Sequence, residues 1–148
     1  MRGAVWFALL LAVGLLLGSC SSGTTDVTDP PAEGVILRIV VGGTVAADWT
    51  LADLEDRVTS TEIMIDGDMQ SGPLLIDVIA ASGVENWQSG EVFGMGEGRT
   101  FEVKLDVSAS EVDDGWILDV TNQGTLKLAA ADLPREQWVR DVSEIRFH

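Results

Sequence analysis

Gly72-Pro73-Leu74-Leu75-Ile76-Asp77-Val78-Ile79-Ala80-Ala81-Ser82-Gly83-Val84 is the stretch that decides how this chain is read. Leu74, Leu75, Val78, Ile79 and Ser82 recur at helical spacing, so one face of the segment can be buried against a sheet. Proline suits a first helical turn, where its missing N–H would be unpaired anyway, and glycine suits the left-handed residue beyond a helix end. The spacing predicts a helix over residues 73–82 that stops at Gly83.

Upstream, Thr61-Glu62-Ile63-Met64-Ile65-Asp66 reads as a strand running into the turn-rich Asp66-Gly67-Asp68-Met69-Gln70-Ser71-Gly72. Before it, Thr50 stands three residues ahead of Asp53, and Leu51, Leu54 and Val58 share a face. This is a capped, short amphipathic helix. Earlier still, Val35-Ile36-Leu37-Arg38-Ile39-Val40-Val41 is a β-branched run ended by Gly42-Gly43, which predicts a mostly buried strand. Downstream, strands are expected over 91–95, 100–105, 116–120, 126–130 and 143–147, with one capped helical turn over 108–113. Phe101, Val103 and Leu105 alternate with Glu102 and Lys104, as in a sheet wetted on one side. The pattern predicts an α+β fold: one compact, strand-rich, mixed-sheet domain with two short helices over residues 35–148.

The N-terminus is organised differently. Met1-Arg2 is followed by a nearly unbroken apolar run from Ala4 to Leu17, then by Gly18, Ser19 and Cys20, the only cysteine. A positive start, an apolar core and small residues make the layout of an export signal. The run falls short of the ~20 apolar residues that a membrane span needs. Leu17-Gly18-Ser19-Cys20 resembles the bacterial lipoprotein signal, which implies cleavage before Cys20 and alkylation of its sulfur by diacylglycerol. An ordinary signal-peptide cut and an uncleaved anchor are the alternatives. The expected organisation is a signal peptide over 1–19, a lipidated Cys20 with a flexible tether over 20–34, and the domain over 35–148. The tether, Ser21 to Gly34, has a single branched apolar residue, Val27, and cannot bury enough to order itself. The expected location is the extracytoplasmic side of a cell membrane, held by lipid through Cys20.

The formal charge is −15 over 148 residues, and loss of Arg2 with the leader makes the mature chain one unit more negative. This acidity excludes a nucleic-acid partner and argues against docking on anionic headgroups. With Cys20 acylated no disulfide remains, so stability must come from packing.

No catalytic constellation and no metal-ligand set is readable. Asp66-Gly67-Asp68 lacks the further ligands of a calcium loop and reads as a polar turn. Asp113-Asp114-Gly115 reads as a turn before a strand. Gly94-Met95-Gly96-Glu97-Gly98 lacks the spacing and following helix of a nucleotide loop, so it reads as a hairpin turn. His148, terminal and alone, has no nucleophile partner. The ligand-binding candidates are Trp87, set among polar loop residues, and Arg99 and Arg135, cations in an acidic field.

The order of pieces resembles a known family. A strand, Trp49-Thr50-Leu51-Ala52-Asp53-Leu54, a strand and turn, Gly72-Pro73-Leu74-Leu75-Ile76-Asp77-Val78-Ile79-Ala80-Ala81-Ser82-Gly83-Val84, and a closing Trp138-Val139-Arg140-Asp141-Val142-Ser143-Glu144-Ile145 look like the oxidoreductase molybdopterin-binding domain, the sulfite-oxidase fold. The resemblance covers roughly residues 35–148 and rests on framework positions. It implies a cysteine thiolate on the loop before the helix as molybdenum ligand, but residues 65–71 contain none. The chain therefore reads as a cofactorless relative: a noncatalytic lipoprotein binding a small molecule or an unknown protein partner. A molybdopterin-dependent oxidoreductase, or an accessory subunit of one, is the alternative. An envelope component acting through its acidic surface is the third reading.

Overall fold

A computed structural model describes residues 29–96 and 102–148. The expected signal peptide, Cys20, the first part of the tether, residues 97–98 of the glycine-rich turn, Arg99, and Thr100 and Phe101 of the expected 100–105 strand lie outside the described residues. The chain forms β1 (Val35–Val41), β2 (Thr44–Thr50), α1 (Leu51–Arg57), β3 (Ser60–Ile65), β4 (Asp68–Pro73) and α2 (Leu75–Ala81). It continues with β5 (Ser89–Met95), β6 (Glu102–Ser108), β7 (Trp116–Val120), β8 (Leu126–Ala130), a 3-10 turn (Arg135–Gln137) and β9 (Arg140–Phe147). This is a strand-rich, mixed-sheet α+β domain with two short helices. No helix among the described residues is long and apolar enough to cross a membrane.

Five strands form one sheet in the order β2-β1-β9-β5-β6. β1 and β9 run parallel and the other pairs antiparallel. Two hairpins, β3-β4 and β7-β8, lie apart from it. They are joined by a bridge between Leu74 and Ile117, and β8 reaches the large sheet through a bridge from Leu128 to Val139. Leu75, Val78 and Ile79 of α2 share one buried cluster with Leu37 and Ile39 of β1, Val92 of β5, Ile145 of β9 and Leu118, Leu126 and Leu128 of the β7-β8 hairpin. The apolar face read from the sequence is thus the face that packs.

Helix α1 begins as expected. The Thr50 hydroxyl accepts from the Asp53 N–H at 3.1 Å and donates to the Asp53 carboxylate at 2.6 Å, completing a capping box. These bonds hold the Asp53 carboxyl below the usual carboxylate range, the side-chain bond contributing most. Its single buried residue is Leu54.

Three local expectations are corrected. Pro73 does not open α2: it closes the β3-β4 ladder opposite Ser60, and extended Leu74 precedes the first helical residue, Leu75. Residues 66–72 are not a turn throughout. Only Asp66 and Gly67, with φ of 50° and 83°, make the turn, and Asp68 onward is strand. Both central residues with positive φ define the tight hairpin turn that matches strand twist. Gly42 and Gly43, at 55° and 83°, do the same. They fold β2 back on β1, where no strand was expected because Ala46-Ala47-Asp48 lacks β-branched residues. Residues 108–113 form a turn in which the Ser108 N–H and hydroxyl both bond Glu111.

Two features lock the arrangement. A Cβ at Gly72 would lie 2.1 Å from the Leu118 carbonyl oxygen, so β4 can approach β7 only with glycine there. Arg38 on β1 is 3% exposed and bonds Asp48 of β2 through Nε at 2.8 Å and a second nitrogen at 2.9 Å. The bidentate bond to Asp48 raises the already high guanidinium pKa. The same guanidinium donates to the Asp29 carbonyl, holding the start of the domain against the sheet.

Gly72→Ala is expected to lower stability by about 3 kcal/mol or more, because rigid backbone must shift, read as the urea midpoint of the purified domain. Asp48→Asn should also lose about 3 kcal/mol by leaving a buried guanidinium unbalanced, and Arg38→Met with Asp48→Leu should recover most of that loss.

Candidate functional site

An open cleft of about 490 Å3 lies where the two hairpins meet the start of β9. Met69 and Ser71 of β4, Asp119 and Val120 of β7, the connecting Thr121-Asn122-Gln123, Lys127 of β8 and Arg140 of β9 line it. Strand alternation brings Met69 and Ser71 to one face of β4, opposite the face that buries Gln70 and Gly72. The connecting turn is held by the Thr121 N–H donating to the Thr125 carbonyl at 2.9 Å and by a contact of 2.8 Å between their hydroxyls, with Gly124 at φ 73°.

The floor is set by one carboxylate. Asp119 accepts the Ser71 N–H at 2.7 Å and pairs with Lys127 Nζ at 2.9 Å, with both side chains about one-sixth exposed. Asp119 and Lys127 are register partners across the β7-β8 hairpin. This carboxylate therefore joins β4 to both strands of the hairpin. Lys127 also lies 5.7 Å from the Trp138 ring centre, and Arg135 lies 5.3 Å from the same ring. Trp138 donates its indole N–H to the Leu133 carbonyl at 3.2 Å.

Arg140 differs from its neighbours. Arg38 pairs with Asp48, Lys104 with Glu91, Lys127 with Asp119, Arg135 with Asp68 and Arg146 with Glu144. Arg57 lies over Trp49 at 4.4 Å. Among the described residues, exposed Arg140 has neither a carboxylate nor an aromatic partner. It brings positive charge to a cleft lined with two hydroxyls, two carboxamides and the side chains of Met69 and Val120, beside the Asp119–Lys127 pair.

A second cleft, of about 220 Å3, is bordered by Phe93, Gly94, Glu102, Asp141 and Ser143, with Arg146 committed to Glu144 and the Phe93 ring. Its cation is occupied, which makes it the poorer site for a charged ligand.

The structure does not bring the sequence-derived candidates together. Trp87 is half-buried against Phe147, ring centres 4.8 Å apart, and belongs to the margin of the main core. Arg135 is bound to Asp68 at 2.7 Å and to the Asp66 carbonyl at 3.2 Å, bracing the β3-β4 turn. The Asp68 bond raises its pKa further, so it stays charged. Arg99 lies outside the described residues. The Asp66-Gly67 and Asp113-Asp114-Gly115 turns are present, the latter with the Gly115 N–H on Asp113 at 2.8 Å. No group of three or more His, Cys, Asp or Glu side chains suited to a metal occurs among the described residues.

Sequence reasoning missed the whole 119–127 rim and Arg140. A signal existed for one pair: Asp119 and Lys127 flank the five-residue connection Thr121-Asn122-Gln123-Gly124-Thr125 symmetrically, as cross-strand partners do. No family model and no curated protein sequence matches the chain, so the site rests on its own geometry.

Asp119→Ala is expected to destabilise the domain by about 2 kcal/mol, since it strands the Lys127 ammonium and the Ser71 N–H. The matched change Lys127→Met should lose less, and chemical denaturation separates the two.

Proposed function

We propose that this chain is a lipid-anchored, extracytoplasmic binding protein whose domain takes a small, polar, singly anionic ligand in the cleft beside Arg140. The observation that carries the reading is the one described cation left unpaired in an acidic chain, standing at the rim of the larger described cleft. Its planar guanidinium suits a carboxylate or phosphate, which accepts two parallel hydrogen bonds. Ser71 and Asn122 offer a hydroxyl and a carboxamide for the rest of the ligand, and Met69 and Val120 offer apolar contact. The surrounding negative charge disfavours polyanions, so a single anionic group on an otherwise neutral molecule fits best.

The lipoprotein motif at Cys20 supports anchoring, with the expected tether over 20–34 between it and the domain. The sulfite-oxidase-like order of motifs supports a relative of the molybdopterin-binding domains. The donor set does not fit the metal of those enzymes. Where the resemblance places a cysteine thiolate, this chain has a tight Asp66-Gly67 hairpin whose carboxylates are engaged by Arg135. The domain acts as a binding module.

Two measurements test this. Mass spectrometry of membrane-extracted protein should find an N-terminal, diacylglyceryl-modified Cys20, and a free thiol there would end the anchoring claim. Heteronuclear NMR with a panel of small carboxylates and phosphate monoesters should show a ligand perturbing residues 119–123 and 140, with Arg140→Gln weakening it at least tenfold. Stoichiometric molybdenum or pterin in the purified protein would replace this reading with the oxidoreductase one.

A further inference from the structure

The described residues expose four large apolar side chains, and the two most exposed are both methionine: Met64 at 59% and Met69 at 53%. They are register partners in the β3-β4 hairpin. The two-residue turn makes Ile65 and Asp68 the hydrogen-bonded closing pair, so Met64 and Met69 form the next, non-hydrogen-bonded pair. In such a pair the Cα atoms lie ~4.5 Å apart and the side chains lean together. Both lie on the outer face of the hairpin, Met69 at the edge of the Arg140 cleft, because buried Ile65 and Gln70 and half-buried Ile63 occupy the inner face. The turn below them is braced by Arg135 on Asp68 and Asp66, which holds the pair in place.

From this geometry we infer a soft-cation site: the two thioether sulfurs converge on one monovalent ion of the Cu(I) or Ag(I) type. A thioether is a neutral, soft donor that matches such ions and has little affinity for magnesium, calcium or manganese. It needs no deprotonation, so binding persists where thiol and imidazole ligands would compete with protons. Each sulfur sits on an unbranched, rotatable stem, so both can adjust to the ion without moving the backbone. Glu62 lies two residues from Met64 on the same exposed face and adds negative charge beside the ion without being required as a ligand. Water completes the coordination. Met69 also lies at the edge of the Arg140 cleft, but Arg140 is a cation and no donor to the ion, so the two sites are separable by substitution.

The test uses untagged mature protein titrated anaerobically with Cu(I) against a chromophoric Cu(I) chelator, and separately with Ag(I) while methionine ε-methyl resonances are followed. One equivalent is expected to bind, shifting Met64 and Met69 together and leaving Met95 in place. Met64→Leu or Met69→Leu alone should weaken binding at least tenfold, and the double change should abolish it while the melting temperature stays put. Equal competition by wild type and double variant, or a shift confined to Met95, overturns the inference. Arg140→Gln must leave the Cu(I) titration unchanged, which separates failure of this site from failure of the cleft.

Discussion

Everything in this domain is hung on the last strand. β9 is the central member of the five-stranded sheet, parallel to β1 and antiparallel to β5, so it joins the first strand of the domain to a strand formed more than fifty residues later. Val142, Ile145 and Phe147 are buried within it. The Gly42 N–H donates to the Phe147 carbonyl at 3.2 Å and the His148 N–H to the Ser89 carbonyl at 3.0 Å, so its end is held from both sides. Pairing strands so distant in sequence requires closing long loops before their contacts reward it, which slows folding relative to local pairing. Its beginning also borders the cleft: the Leu128 N–H bonds the Val139 carbonyl at 2.7 Å, and the next residue is Arg140. The strand that closes the sheet therefore delivers the cation of the cleft.

Charge is distributed with the same economy. The chain is strongly acidic, yet its described cations are almost all committed, to carboxylates or to aromatic rings. A buried guanidinium is tolerated at Arg38 because Asp48 sits directly opposite and meets it with two bonds. On the rim of the sheet the Lys104 bond lowers the Glu91 carboxyl and raises the ammonium in turn. Against that background one uncommitted arginine beside a cleft is an exception with a local consequence. The exposed methionine pair is an exception of another kind, since apolar side chains elsewhere in the domain are mostly buried.

Much of the framework was legible. The α1 capping box was readable because Thr50 and Asp53 interact within a single turn. Strands β7 and β8 have the limits their apolar runs suggested, and β1 follows its β-branched run. Errors arose where chain neighbours mislead. Gly42-Gly43 looked like an end and is a reversal, because glycine serves either role and only the pairing of β2 chooses between them. Pro73 looked like a helix start and is a strand end, because its fixed φ is compatible with both. The candidate residues fared differently: Trp87 and Arg135 stand out as isolated side chains, but the structure supplies them with Phe147 and with Asp68.

What the sequence determined by itself was local or compositional: periodicity, caps, tight turns, acidity, and the lack of any thiol in residues 35–148. These depend on residues within a few positions of each other or on simple counts. Tertiary structure alone decided that β9 lies between β1 and β5, that Gly72 passes against Leu118, and that Met69, Asp119 and Arg140 share a cleft. Those facts depend on contacts between distant segments, whose partners are chosen by the packing of the whole core and leave no periodic trace in the chain.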